Sequence, residues 1–207
     1  MRCQPAPALA LLMGLSLACA AHAATPAPAA PDQPEVNEAL RSGDIAQAFR
    51  STKELAEQGG LEQQHNLSLF YWHGVGIPQN FEEALRWSTL AAVRGHRKAV
   101  AARAIMMRNL DSQLAQKSMQ WTRERLIKLA EGGDDMALPP LAVSFRPDFS
   151  FGNDVEAYFW STLAVSAGKV EVRRQRDALV PTMKQADILK AQQRASEWMG
   201  RWRKERS

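Results

Sequence analysis

The sequence predicts an all-α chain, a short solenoid of helix–turn–helix repeats with essentially no strand. Three observations predict it. Gly59, Gly95, Gly133 and Gly168 recur 36, 38 and 35 residues apart. Each follows a small or apolar pair at a fixed distance: Leu55-Ala56, Ala91-Ala92, Leu129-Ala130 and Ala164-Val165. The run Trp87-Ser88-Thr89-Leu90-Ala91 returns unchanged as Trp160-Ser161-Thr162-Leu163-Ala164. Finally, Asp44, Asn80 and Asn153 each stand three residues before Gln47, Glu83 and Glu156. That is the capping-box spacing, in which the first side chain accepts from a free backbone N–H and the second reaches back. A self-similar period of this size is the mark of stacked supersecondary units. No stretch shows the sustained alternation of β-branched residues that a strand needs.

Taken in order, residues 1–23 read as a secretory signal. Arg2 supplies the positive start, Ala8 to Ala21 a short apolar run, and Ala21-His22-Ala23 the small-x-small cleavage pattern before Ala24. The minority alternative is a lipoprotein anchored through Cys19, but Ser16 stands where a lipobox has Leu. Residues 24–34 (ATPAPAAPDQP) bury little and read as a flexible linker. The helical repeat domain then occupies residues 35–207, beginning with a truncated copy over 35–60.

The clearest unit follows. Leu67 and Tyr71 share a helix face, Gly74-Val75-Gly76-Ile77-Pro78-Gln79 makes a turn, and Asn80 caps a second helix. In that helix Ala84, Trp87, Ala91 and Ala92 fall on one apolar face. In residues 96–133 the Ala-x-x-Trp step is lost, and Asp111 caps one longer helix to about Glu131. Residues 141–168 return to the pattern with Leu141, Phe145, Ala157, Trp160, Ala164 and Gly168, over a turn without Gly-x-Gly. Residues 173–202 read as closing helices.

Charge and cysteine usage narrow the function classes. Removing the signal leaves 25 Lys and Arg against 22 Asp and Glu, a balance too small to argue for nucleic acid. Both cysteines, Cys3 and Cys19, lie in the signal, so the mature chain is expected to hold together by packing without disulfides.

Residues 67–99 closely resemble the Sel1-like repeat. The matching residues are Leu67-Ser68-x-x-Tyr71-x-x-Gly74-x-Gly76-Ile77, then Asn80, Ala84-x-x-Trp87, Ala91-Ala92-x-x-Gly95 and Ala99. Ser68 replaces the family glycine. The resemblance implies an α-α superhelix of antiparallel helix pairs, similar to tetratricopeptide arrays. It also implies an adaptor that holds a protein or peptide on a concave face lined by the first helix of each pair. Some cysteine-rich relatives are associated with hydrolysis of cell-wall fragments or β-lactams, but this chain lacks their pairing cysteines.

Catalytic motifs are sparse. Gly74-x-Gly76 lacks the strand and Lys of a phosphate loop, and no Gly-x-Ser-x-Gly elbow is present. His65 and His73 are eight residues apart on one helix, too far for one metal ion, and His96 has no ligand-spaced partner. No cofactor, metal or catalytic residue is expected.

Binding residues are easier to nominate. Phe70, Tyr71, Trp72 and His73 are consecutive and fan around a helix, so Trp72 or Phe70 is expected on an accessible face. Arg94, Arg97, Lys98, Arg103 and Arg108 cluster around a first-of-pair helix and suit an acidic peptide, a carboxyl terminus or an anionic envelope polymer. Trp72, Arg97, Arg103, Phe70 and Lys98 are therefore the partner-contact candidates. The basic end Arg201-Trp202-Arg203-Lys204 suits at most peripheral membrane contact. The function these features predict is a non-enzymatic, periplasmic or secreted adaptor for a protein or peptide. The alternatives are an envelope enzyme acting on peptidoglycan fragments or β-lactams, and a structural subunit of an envelope complex.

Overall fold

The four periodic glycines all take the left-handed conformation, with φ of +100° at Gly59, +92° at Gly95, +95° at Gly133 and +88° at Gly168. At each, the glycine N–H reaches the carbonyl three residues back and the next N–H reaches the carbonyl five back. Gly95 donates to Ala92 at 3.0 Å and His96 to Ala91 at 3.0 Å, and the pair repeats at Gly59, Gly133 and Gly168. This double closure is the Schellman motif, which satisfies two carbonyls that a helix end otherwise leaves open.

A computed structural model describes residues 41–149 and 151–204 of the chain. The signal segment with Cys3 and Cys19, and the 24–34 linker, lie outside the described residues. The described residues form α1 (Ile45–Glu57), α2 (Leu61–His73), α3 (Phe81–Val93), α4 (Arg97–Asn109) and α5 (Ser112–Glu131). The order continues with α6 (Leu138–Ser144), α7 (Asp154–Ser166), α8 (Arg173–Leu179) and α9 (Gln185–Lys204), and no strand occurs among them. Among them, too, no helix is long and apolar enough to cross a membrane.

Helix starts follow the polar signals. Asp44, Asn80 and Asn153 each accept from the N–H three residues on, at 2.9, 3.0 and 3.1 Å. Asp111 does the same for α5, from Leu114 at 2.7 Å. The return half of the expected capping box is not made at two of these caps. The Asn80 N–H goes to the Tyr71 carbonyl at 2.9 Å, and the Asn153 N–H to the Phe145 carbonyl at 2.7 Å. The preceding helix reaches the cap first, so the two glutamates turn elsewhere. Glu83 accepts from Arg86 and from Trp87 Nε1, and Glu156 from Arg194.

Neighbouring helices pack in sequence, α1 on α2, α2 on α3, α3 on α4, then α6 on α7 and α7 on α9. Residues 96–133 depart from a simple hairpin, because α5 packs on α3 and α6 and not along α4. Its buried side chains Ala115, Ser118, Met119, Thr122, Leu126 and Ala130 recur at helical spacing and are mostly small, which lets α5 lie close.

Trp87 and Trp160 occupy the same place in their units, 4 % and 5 % exposed. Trp87 meets Trp121 edge-on at 5.4 Å, and Trp160 meets Trp198 of α9 at 6.1 Å. Leu67, Leu90, Leu126, Leu138, Leu141 and Leu163 join them in one core. The closing helix is also tied by hydrogen bonds, from Trp202 Nε1 to the Ala130 carbonyl at 2.8 Å and from Gln192 Nε2 to the Tyr158 hydroxyl at 2.9 Å.

Candidate functional site

The aromatic candidates on α2 divide. Phe70 is only 1 % exposed and meets Phe49 edge-on at 5.9 Å, so it belongs to the core and offers no contact surface. The physical reason is that α2 lies between α1 and α3 and is covered on both sides. Gln63 through Ser68 are buried without a break. Tyr71 is half-buried, its ring 5.5 Å from Phe49. Trp72 is half-buried too, its ring 4.9 Å from that of Phe81 and its body against the Ala84, Leu85 and Met106 cluster. Part of Trp72 therefore packs and part meets solvent, while His73 is exposed.

The five basic residues also separate. Arg94 leaves the surface to donate to the Gly59 carbonyl at 2.8 Å and to Gln64 Oε1 at 2.9 Å. Burial pushes its guanidinium below the ordinary range, partly offset by the Asp134 charge. Arg103 is 8 % exposed, which removes it as a contact residue. Its Nε donates to Thr89 Oγ1 at 3.2 Å, and its guanidinium lies 4.8 Å from the centre of the Phe149 ring. Burial brings Arg103 down to about 10, still charged at neutral pH. Arg97, Lys98 and Arg108 are exposed. Neither Arg97 nor Arg108 has an ion pair among the described residues.

Sequence reasoning missed a buried polar seam beside this surface. His65 is 4 % exposed, and its ring centre lies 4.6 Å from that of His96. His96 caps α4, its Nδ1 accepting from the Ala99 N–H at 3.1 Å. The ring proton therefore sits on Nε2, which donates to Glu62 Oε2 at 2.7 Å. Burial lowers His65 to about 4, opposed by the Glu62 carboxylate. Burial alone would raise the Glu62 carboxyl, but the hydrogen bond from His96 holds it below the usual carboxylate value. The only sequence signal was the position of His96 directly after a helix-ending glycine, where a cap is needed.

The serines repeated in the Trp-Ser-Thr runs serve packing. Ser88 is buried and donates to the Leu85 carbonyl at 3.1 Å, and Ser161 to the Ala157 carbonyl at 2.6 Å. Among the described residues, no three His, Cys, Asp or Glu side chains gather closely enough to hold a metal ion. A cleft of about 190 Å³ opens where α1, α3 and α5 end, lined by Gln64, Arg94, Arg125 and Asp134. Arg125 closes one side, donating to the Glu57 carbonyl at 3.0 Å with its guanidinium 5.4 Å from the Trp87 ring centre. Both arginines thus spend donors on the free carbonyls that end α1.

Of the residues nominated from the sequence, Arg97, Lys98 and Arg108 are thus exposed on α4 and Trp72 is half-exposed on α2. Comparison of the chain with protein-family models and with curated proteins finds no match.

Proposed function

We propose that this chain is an exported adaptor of the Sel1-like repeat kind, which stacks its helix pairs as a short superhelical solenoid. In this reading the first-of-pair helices α2 and α4 present the concave face, and a protein or peptide is held there without being chemically altered. The observation that carries the reading is the four-fold recurrence of one helix ending, glycine and Schellman closure alike, at separations of 36, 38 and 35 residues. Such recurrence is what stacked repeats require, since each unit buries its apolar face only against its neighbours. The exposed cations Arg97, Lys98 and Arg108 support the choice of face, because Arg side chains are over-represented where interfaces draw their energy.

In-cell photo-crosslinking tests this directly. A crosslinker at position 97 or 72 of the exported chain should capture one or a few defined proteins, identified by mass spectrometry. A crosslinker at Gln116, exposed on α5, serves as the control. Equal, indiscriminate capture from all three positions would overturn the reading.

A further inference from the structure

The inner side of α4 is settled by Ala99, Arg103 and Met106, the residues it buries. On its outer side Arg97, Val100, Ala101, Ala104, Ile105 and Arg108 are all exposed, at steps of three, one, three, one and three residues. Those steps trace one straight stripe on a helix, about 16 Å from first to last at 1.5 Å per residue. Val100 is 46 % and Ile105 48 % exposed. The next helix turns mostly polar residues outwards, Leu129 near its end excepted. Gln113, Gln116, Lys117, Gln120 and Glu124 of α5 face outwards. The apolar stripe of α4 thus lies open on the surface.

Its charges say what kind of contact. Arg97 and Arg108 bracket the apolar centre, lack ion pairs among the described residues, and share a helix that contains no Asp or Glu. We infer that α4 docks an amphipathic helix of a partner protein, whose apolar stripe carries acidic residues about three turns apart. Ala101 and Ala104 let a second helix approach closely, and apolar anchors at three- and four-residue steps are how an amphipathic helix is read. A second copy of this chain does not suit the face. Antiparallel pairing sets Arg97 of one copy beside Arg108 of the other, and parallel pairing sets Arg97 beside Arg97, so like charges meet either way. A lipid surface suits it less well, because the stripe has no Trp, Phe or Leu to sink into the headgroup layer. The inference rests on the adaptor reading and names the chemistry of its partner.

The test uses a labelled synthetic helix with an Ala/Leu stripe and two Glu residues eleven positions apart, and a twin with Lys in place of Glu. By fluorescence anisotropy the full chain should bind the Glu helix at least about tenfold more tightly than the Lys twin. The Arg97→Glu/Arg108→Glu variant should reverse that preference, a result that no loss of folding can imitate. Val100→Asp/Ile105→Asp should abolish binding of both. A Glu helix that fails to bind, or binds the charge-reversed variant equally well, overturns the inference. So does binding to phosphatidylglycerol vesicles, or a concentration-dependent dimer, that the Val100→Asp/Ile105→Asp variant alone removes. Failure here leaves the adaptor reading standing if the in-cell crosslinks from positions 72 and 97 still capture defined proteins.

Discussion

The guanidinium of Arg94, one residue before the glycine that ends α3, donates to the carbonyl of Gly59, the glycine that ends α1. Two equivalent helix ends are thus stitched together by residues 35 positions apart in sequence. The same bond draws Gln64 into the joint, because Arg94 also donates to its side-chain oxygen. Removing Arg94 would leave the Gln64 acceptor and the Gly59 carbonyl without this donor. Arg94→Ala should therefore destabilise the chain by about 1–3 kcal/mol in urea unfolding, the cost of unsatisfied buried groups. A loss under about 0.5 kcal/mol, the range of an ordinary surface change, would show that water replaces it.

Trp87 and Trp160 are equivalent by position but not by polarity. Trp87 Nε1 donates to Glu83 at 3.1 Å, whereas Trp160 Nε1 is buried without a partner. Trp→Ala at either site should cost about 3–5 kcal/mol, since both leave a large core void. Trp→Phe should cost less at 160 than at 87, because it deletes an unsatisfied donor at one site and a made bond at the other. Matched denaturation midpoints of the four variants give the comparison.

Glycine substitutions test the backbone argument separately. An added Cβ would meet nothing within 4 Å at Gly95, Gly168 or Gly200. Only the first two have positive φ. Gly95→Ala and Gly168→Ala should lose about 1–2 kcal/mol through left-handed strain alone. Gly200→Ala, inside α9, should instead gain up to about 1 kcal/mol from helix propensity. Thermal melts of the three variants should move in those opposite directions.

Acid should weaken the fold through His65. Its folded value, about 4, lies below the ordinary 6.5, so the unfolded chain binds more protons between those values. Stability is then fully present above about pH 6.5 and falls as pH drops towards 4, by about 3 kcal/mol at most for a shift of that size. The lowered Glu62 carboxyl adds loss of the same sign below its ordinary 4.5. Urea midpoints at pH 7 and pH 5 should differ for the parent, and the difference should shrink in His65→Gln.

What could be read from the sequence was local. Glycine ends, polar caps and the Trp-Ser-Thr run act within one or two turns, so residue spacing alone revealed them. The long α5 was legible from Asp111 for the same reason. What could not be read depends on which helices meet. His65 and His96 are 31 residues apart and touch only because α2 packs beside the start of α4. Arg103 looked like a surface cation until the segment carrying Phe149, 46 residues later, folded over it. Phe70 was misplaced because its side of α2 is the one that α1 covers, through Ala48 and Phe49. The outer stripe of α4 could not be read from spacing alone, because which side of that helix is buried depends on its packing against α3.

In the proposed function, partner capture runs through the exposed surface of α4, and Arg97 is the cleanest place to test it. Trp72 is partly packed, so truncating it lowers stability and confuses the readout. Arg97 is exposed and makes no ion pair among the described residues, so its loss should change stability by less than about 0.5 kcal/mol. The decisive measurement is capture from an envelope extract by the parent chain and by Arg97→Glu, alongside their melting temperatures. The proteins retained by the parent should fall away from Arg97→Glu at an unchanged melting temperature. Equal recovery of the same proteins by both chains would contradict it.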